Sequence, residues 1–207
     1  MLDDRESLAD ACRDWQGGRD LGSTPLRAAA RVLTGRGHYF DAPFICEQEE
    51  KARSNPPALE AAAVLLEAVN HAPHRTAAEW NQELWLPIGP FAGRGLEPKP
   101  EFDGQIEDAL TTGRVEMPLW GVSLDFALAW TYGTGTSHRF PRFIFEIVGP
   151  FPAIASWPHS GYLPEEQELI CGGEYAVVDT VVGERGVTTV RFEYLRPIEQ
   201  LTAQSTH

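Results

Sequence analysis

Cysteine is scarce in this sequence. The 207 residues include three, Cys12, Cys46 and Cys171. They are odd in number, widely separated and never spaced as a CxxC pair. This number and spacing argue against a disulfide scaffold and against a zinc knuckle. Of the histidines, only His71 and His74 are close neighbours, and the proline between them breaks the helix that would align two ligands. The sequence therefore predicts no metal site and suits a reducing compartment.

Basic residues are also few. Lys and Arg number 17 against 30 Asp and Glu, so the formal net charge is −13. A protein that tracks the phosphates of nucleic acid usually carries clustered Lys and Arg, whose contacts release counterions. We therefore expect no nucleic-acid partner.

Long apolar runs are missing as well. No stretch approaches the roughly 18 apolar residues of a membrane span, and the start "MLDDRESLADACRDW" lacks the basic region and apolar core of a secretory signal peptide. The sequence therefore predicts a soluble protein without membrane association. It would be cytoplasmic, or secreted and delivered into a target cell by a route other than Sec.

The composition that remains is ordinary for a globular protein, with 43% apolar and 23% charged residues. The first half is predicted to be helical. "SNPPALEAAAVLLEAVN" has Asn55 as a capping residue and prolines at its entry, and "TAAEWNQELW" places Thr76 and Glu79 at capping-box spacing. "EFDGQIEDALTTG" sets apolar residues four apart and ends at Gly113, as a further helix would.

From Met117 onward the pattern changes to that of short strands. These are "MPLWGVS", "RFIFEIVG", "ELIC", "EYAVVDTVV" and "VTTVRFEYL", with Gly172-Gly173 and "GERG" as predicted turns. A helix from about Leu124 to Tyr132 interrupts them. The predicted fold class is therefore α+β, with helices followed by a mainly antiparallel sheet. We divide the chain into a helical segment at residues 1–86, a core at 87–200 and a tail at 201–207.

The stretch "PEEQELICGG" holds three carboxylates just before an apolar run. On an extended approach to a strand, Glu166 and Glu168 would share one face while Gln167 points away. Two carboxylates at that distance repel each other, which raises a pKa or requires a cationic partner. A functional acidic site is one interpretation, and a solvated acidic loop is the other.

Two further residues stand at positions suited to a ligand. Arg94 lies in "FAGRGL", where flanking glycines allow close approach of the backbone and the guanidinium suits a phosphate or carboxylate. The alternative for Arg94 is a surface turn. Ser123 ends the apolar strand "PLWGVS" and precedes a helix, so its alternative is a simple N-cap. Cys171 with a distant histidine makes a poor thiol dyad, because an apolar strand disfavours the thiolate.

Taken in chain order, these signals resemble the Arg/Ser/Glu class of mono-ADP-ribosyltransferases, over roughly residues 87–195. "EQELICGGEYAVVDTVV" matches the family's catalytic Glu, hydrophobic strand, Gly-containing turn and apolar alternation. "GRGL" is similar to the family's first motif, and "SLDFALAW" is similar to the end of its second. The family often has Ser-x-Ser in that second motif. Ser123 matches the second of these serines, and Gly121 stands in place of the first.

The resemblance implies a split, mainly antiparallel β-sandwich, preceded by helices, that holds NAD+ as a substrate in a central cleft. Arg94 would hold the phosphates or ribose of NAD+, and the backbone of Gly95 would bond the nicotinamide amide. Ser123 would brace the catalytic carboxylate and the nicotinamide ribose. Glu168 would be that carboxylate, and Glu166 would orient or deprotonate the acceptor.

In the family Glu-x-Glu accompanies arginine acceptors. The resemblance therefore implies transfer of ADP-ribose to an arginine of a target protein, as a bacterial toxin or effector does. The alternatives are an NAD glycohydrolase without a protein acceptor and a catalytically inactive NAD-binding module. The helices before Pro87 could recognise the target, cover the cleft or bind an inhibitor such as an immunity protein. Tyr132 and Phe140 are candidates to cover the nicotinamide, with core packing as their alternative.

Overall fold

The chain folds as helices followed by strands, which confirms the predicted α+β class. The structure, a computed structural model, describes residues 4–18, 21–38, 45–86, 89–96, 103–134, 141–161, 164–183 and 186–201. Its helices are α1 (Asp4–Trp15), α2 (Ser23–Thr34), α3 (Ile45–Arg53), α4 (Pro56–Asn70), α5 (Ala77–Glu83), α6 (Asp103–Thr112), α7 (Phe126–Thr134) and α8 (Ser156–Ser160). Its strands are β1 (His74–Arg75), β2 (Gly93–Leu96), β3 (Arg114–Ser123), β4 (Phe143–Val148), β5 (Phe151–Ala155), β6 (Glu168–Val182) and β7 (Thr188–Arg196).

The predicted helix starts in the first half are confirmed. α4 begins at Pro56, and Asn55 Oδ1 accepts the backbone N–H of Ala58 at 3.3 Å. At α5, the N–H of Glu79 donates to Thr76 Oγ1 at 3.2 Å, and the N–H of Thr76 donates to Glu79 Oε2 at 2.7 Å. These bonds satisfy amides that a helix start otherwise leaves unpaired, which is why both helices begin where the sequence predicts.

The strands form one sheet that closes on itself. Their order is β1-β5-β6-β3-β2-β4-β7, and β6 also pairs with β7. β4 and β7 run parallel, whereas the other pairs are antiparallel. The sheet is therefore mainly antiparallel, as predicted. The long strand β6 joins its two halves, because its first part pairs with β3 and β5 and its later part pairs with β7.

The predicted turn at Gly172-Gly173 is wrong, because β6 runs unbroken through both residues. The glycines allow a close approach of neighbouring chains instead. A Cβ at Gly172 would lie 2.9 Å from the carbonyl carbon of Pro118, where β3 and β6 shift register. Gly173 has a φ of 142°, which residues with side chains rarely adopt. A glycine pair within an apolar run marks a bulge here and not a chain reversal.

Two apolar cores lie on opposite faces of the sheet. The core inside the curved sheet contains Trp120 and Leu169. The second core packs α1, α2 and α4 against the sheet through residues that include Leu119 and Ile170. Successive side chains of a strand point to opposite faces, so the residue two positions before Ile170 in β6 also faces the helices. That residue is Glu168, which places its side chain between the sheet and the first helices.

The division of the chain at residue 86 stays a proposal. β1, which precedes that boundary, pairs with β5, which follows it. Near the other boundary, the N–H of Leu201 donates to the carbonyl of Leu33 at 2.8 Å. Residues 87–88 and 202–207 lie outside the described segments. Of the helices that the structure describes, none is both long enough and apolar enough to cross a membrane.

Glu174 ties three strands together at the closure of the sheet. It lies buried on β6 and forms ion pairs with Arg114 of β3 and with Arg196 of β7, the latter at 2.6 Å between Nη2 and Oε2. Burial by itself raises the pKa of a carboxyl, but hydrogen bonds and charges from the two arginines outweigh burial and lower the pKa of Glu174. The carboxylate is therefore ionised at neutral pH and holds both guanidinium groups.

Candidate active site

Glu168 opens β6 at the end where β3 finishes. Its partner across the ladder is Ser123, the last residue of β3. The hydroxyl of Ser156, a fully buried residue, donates to the backbone carbonyl of Glu168 at 3.0 Å. These contacts hold the backbone of Glu168 from two sides. The carboxylate is thus carried by a rigid element, as a reacting group requires.

The chain just before Glu168 is not extended. The prediction that Glu166 and Glu168 share one strand face assumed an extended chain, and that assumption is wrong. Pro164–Glu166 form a 3-10 helix, and Gln167 has a φ of 46°. A left-handed conformation is uncommon at a residue other than glycine. Here the carbonyl of Gln167 accepts the N–H of Leu124 at 3.2 Å. The side chain of Glu166 lies outside the described part of the chain, so its role stays a prediction.

Gly121 provides the space in which the carboxylate of Glu168 lies. A Cβ added at Gly121 would overlap Glu168 Oε1 and lie 2.9 Å from the carboxyl carbon. Gly121 is not among the residues with positive φ, so its backbone would accept a side chain without strain. The nearest atoms to an added Cβ all belong to the side chain of Glu168. The glycine at position 121 therefore lets the carboxylate pack against the backbone of β3.

Ser123 is buried, and it does not cap the helix that follows. Asp125 caps that helix, because its Oδ1 accepts the N–H of Ala127 at 2.7 Å. α7 accordingly begins at Phe126 and not at the predicted Leu124. The Oγ of Ser123 accepts the N–H of Asp125 at 3.0 Å, which orients the hydroxyl. The interpretation of Ser123 as an N-cap is therefore wrong.

Arg94 reaches into a gap between β2 and β3. Among the residues that the structure describes, these strands pair at a single position, Gly93 with Ser123. The guanidinium of Arg94 lies where the strands have separated, and its Nη1 donates to the carbonyl of Gly121 at 3.2 Å. Arg94 therefore binds the same residue against which the carboxylate of Glu168 packs.

Gly95 directs its backbone polar groups toward the same gap. The carbonyl of Ala92 accepts the N–H of Ile147 in β4 at 2.8 Å. The direction of these groups alternates along an antiparallel strand, so the N–H and C=O of Gly95 face β3. The Cα of Gly95 packs against α7, where a Cβ would overlap the carbonyl of Ala129. A side chain at this position would push the helix away from the strand.

Three of the predicted side chains meet in one cleft with a volume of about 300 Å³. Arg94, Ser123 and Glu168 all line it, although they come from three different strands. Tyr132, a candidate cover for a nicotinamide ring, also lines the cleft and is 57% exposed. Phe140, the other candidate, lies outside the described residues. The structure therefore assembles the three predicted side chains in a concave site of a size that binds small molecules.

The first two helices form a wall of the cleft, which is one of the three roles that the sequence left open for them, through residues that the sequence did not single out. Their contribution comes from Trp15, Gln16, Gly17, Gly22 and Ser23. In sequence these residues form the end of one helix, a glycine-containing link and the start of the next, which is typical of an ordinary turn. No spacing relates them to Arg94 or Glu168. Only the packing of α1 and α2 on the sheet brings them to the site.

The two buried thiols near Glu168 are not nucleophiles. Burial raises the pKa of Cys12 to about 12, and the negative charge of Glu168 contributes to that rise. Burial also raises the pKa of Cys171, again with a contribution from Glu168. Both thiols therefore stay protonated near neutral pH. Within the described segments, no cluster of three or more His, Cys, Asp or Glu residues could hold a metal ion.

Comparison with known proteins finds similarity in structure but not in sequence. No protein-family model matches the chain, and no curated protein matches it. The similarity is to ADP-ribosyltransferases. The Plx2a toxin of Paenibacillus larvae has 14% identity and a TM-score of 0.49, with 94% of this chain and 87% of that chain covered.

Two further solved structures are similar to a comparable degree. HopU1 of Pseudomonas syringae pv. Tomato DC3000 has 14% identity and a TM-score of 0.48, covering 86% of this chain and 68% of that one. Exoenzyme S of Pseudomonas aeruginosa, in complex with human 14-3-3 protein beta and bound to carba-NAD, has 13% identity and a TM-score of 0.47, covering 99% and 80%. All three TM-scores lie below 0.5.

Proposed function

We propose that this protein is an NAD+-dependent mono-ADP-ribosyltransferase that modifies arginine. The observation that carries the proposal is the position of the Glu168 carboxylate. It lies against Gly121 at the mouth of a strand, in one cleft with Arg94 and Ser123. Along the chain these three residues occur in the order Arg, Ser, Glu, which is the order in the family that the sequence resembles.

Arg94 supplies the positive charge that NAD+ needs. The guanidinium presents several N–H donors in a plane and suits phosphate or ribose oxygens. Its Nη1 donates to the Gly121 carbonyl, which holds the guanidinium at the cleft. The backbone N–H and C=O of Gly95 lie at the gap between β2 and β3, where they can bond the amide of nicotinamide.

Glu168 supplies the negative charge that bond cleavage needs. As the bond between the ribose C1′ and the nicotinamide nitrogen breaks, its electron pair leaves with nicotinamide, and positive charge develops on the ribose. A carboxylate fixed beside that charge stabilises the transition state more than the ground state. Ser123, directly across the ladder from Glu168, is placed to hold the carboxylate or the ribose.

The acceptor completes the reaction. A guanidino nitrogen of the target arginine forms the new bond to C1′ and loses a proton, for which Glu166 is the proposed base. The products are nicotinamide, ADP-ribosyl-arginine and a proton. A target protein that carries the acceptor arginine is therefore the proposed partner. A toxin or effector role and control by an immunity protein stay predictions from the resemblance.

The test is to follow both halves of NAD+. With NAD+ labelled in the adenine, we expect nicotinamide release together with label attached to agmatine or to an arginine-rich protein, and not to matched acceptors that contain lysine instead. Label released as free ADP-ribose, with none attached, would assign a glycohydrolase. NAD+ that binds without any nicotinamide release would assign an inactive binding module.

Glu166→Gln separates cleavage from transfer. The amide cannot accept the proton from arginine, so we expect transfer to agmatine to fall by about 100-fold or more, because a positioned general base typically contributes about 10²- to 10⁴-fold. Cleavage of NAD+ with water as the acceptor should stay within about threefold of wild type, because Glu168 is unchanged. The measurement is the ratio of attached to free ADP-ribose. An unchanged ratio would remove Glu166 from the proposed mechanism.

A further inference from the structure

The end of α1 carries hydrogen-bond donors into the wall of the cleft. Trp15 is 2% exposed and Gln16 is 8% exposed, and both line the cleft. Within the described part of the chain, neither Trp15 Nε1 nor Gln16 Nε2 has a hydrogen-bond partner. A buried N–H group without an acceptor destabilises a fold. An oxygen atom of a bound ligand would relieve this cost.

The orientation of the Gln16 amide is set from outside the cleft. The hydroxyl of Ser160, at the end of α8, donates to Gln16 Oε1. This bond uses the acceptor end of the amide and leaves the donor end, Nε2, for a different neighbour. Both unpartnered groups in this wall are therefore donors, which selects a ligand atom that accepts hydrogen bonds.

The start of α2 adds a positive field to the same wall. The helix begins at Ser23, after Gly22, and its first turn has no acidic residue and no side-chain cap among the described residues. Gly22 and Ser23 both line the cleft. The guanidinium of Arg27 donates to the Ser23 carbonyl and to Thr24 Oγ1, at 3.3 Å each. The amides and dipole of a helix start, with a cation beside them, favour an anion.

This wall is unusual for a chain whose net charge is −13. The sheet side of the cleft holds the carboxylate of Glu168 and the guanidinium of Arg94, whereas the helix side holds N–H donors and a positive helix end. NAD+ carries a cationic nicotinamide ring, which suits the carboxylate, and an anionic diphosphate, which suits the donors and the helix start. Electrostatic complementarity of this kind fixes the register in which a ligand binds.

Building on the function proposed above, we propose that Trp15, Gln16 and the first amides of α2 bind the diphosphate of NAD+. The first helices are then a working part of the substrate site and not only a support for the sheet. Gln16 is the side chain whose change tests this most directly, because its amide can be replaced by a carboxylate of the same shape.

Gln16→Glu should weaken binding of ADP-ribose by at least about tenfold. The change keeps the oxygen that Ser160 binds and replaces the Nε2 donor with a negatively charged oxygen, so a hydrogen bond to a charged group becomes a repulsion. Affinity is measured by calorimetric titration of the whole chain with ADP-ribose. Gln82→Glu, which adds the same charge at an exposed site on α5, is the matched control and should bind as wild type does.

A second variant keeps the test independent of folding. Ser23→Asp places a carboxylate in the first turn of α2, where it stabilises the helix through the dipole but repels a phosphate. We expect an unfolding temperature at or above that of wild type, with binding of ADP-ribose again at least about tenfold weaker. Ala78→Asp, in the first turn of α5 and exposed, is its control and should not change the affinity.

The outcomes separate this inference from the function on which it rests. If wild type binds ADP-ribose and both cleft variants bind it within about twofold of wild type, the diphosphate site is not at α1 and α2, and the proposed function stands. If wild type binds neither ADP-ribose nor NAD+, the proposed function itself is contradicted and the inference with it. Weaker binding in both cleft variants and in neither control supports the diphosphate site.

Discussion

Glu168→Gln is expected to lower kcat for nicotinamide release from NAD+ by about 100-fold or more, the effect typical of removing a preorganised group that stabilises transition-state charge. Glutamine has the same shape, so it fits the space above Gly121 and leaves the backbone contacts with Ser123 and Ser156 in place. The negative charge is lost, and one carboxylate oxygen is replaced by an amide NH2 group that donates hydrogen bonds and does not accept them. Release of nicotinamide is followed by chromatography, and the affinity for ADP-ribose should change much less than kcat.

Glu165→Gln is the matched control for that experiment. Glu165 lies in the short 3-10 helix that precedes β6 and is exposed. It is a glutamate like Glu168, but it does not line the described cleft. Its variant should keep wild-type activity. Equal kcat values for wild type, Glu165→Gln and Glu168→Gln would contradict the assignment of Glu168 and with it the proposed reaction.

Gly121→Ser is expected to lower kcat by about 10- to 100-fold, although it introduces the serine that mono-ADP-ribosyltransferases often have at the matching position. The new Cβ would occupy the place of Glu168 Oε1, so the carboxylate must move away from the backbone of β3. A misplacement of about 1 Å in a reacting group costs on the order of 100-fold in rate. The measurement compares kcat with the affinity for ADP-ribose, which Arg94 and the helices should keep near the wild-type value.

The control for Gly121→Ser is Gly104→Ser. Gly104 lies on α6, is exposed, and has no atom near the position of an added Cβ among the described residues. This variant should be as active as wild type. Activity of Gly121→Ser at or above the wild-type level would contradict this prediction. It would mean that a serine at position 121 holds the carboxylate, and that glycine there lowers the activity and does not position Glu168.

Local chemistry made part of the molecule predictable. The helix starts at α4 and α5 follow from Asn55, Thr76 and Glu79, because each cap satisfies amides only a few residues away. The α+β class follows from the change of apolar period near Met117. Arg94 and Glu168 were candidates from residue type and neighbouring residues, and the resemblance of the motifs in chain order to the mono-ADP-ribosyltransferases implied their roles.

Other parts were not predictable because they depend on contacts between distant residues. Gly172 and Gly173 have the composition of a turn, yet they lie within β6 because the chain of β3 approaches it closely. The approach to Glu168 was expected to be extended, but Gln167 is left-handed and binds Leu124. Neither contact has a signal in the local sequence.

The sequence by itself determined which residue types could form the site: an arginine between glycines, a serine at a strand end and a glutamate at a strand entrance. Tertiary structure alone decided how they meet. It seats the carboxylate of Glu168 on a glycine of a neighbouring strand, and it brings Gln16 to the cleft through a partner, Ser160, that lies 144 residues away. Periodicity and caps act over a few residues, whereas a cleft forms only when separate elements pack and exclude water between them.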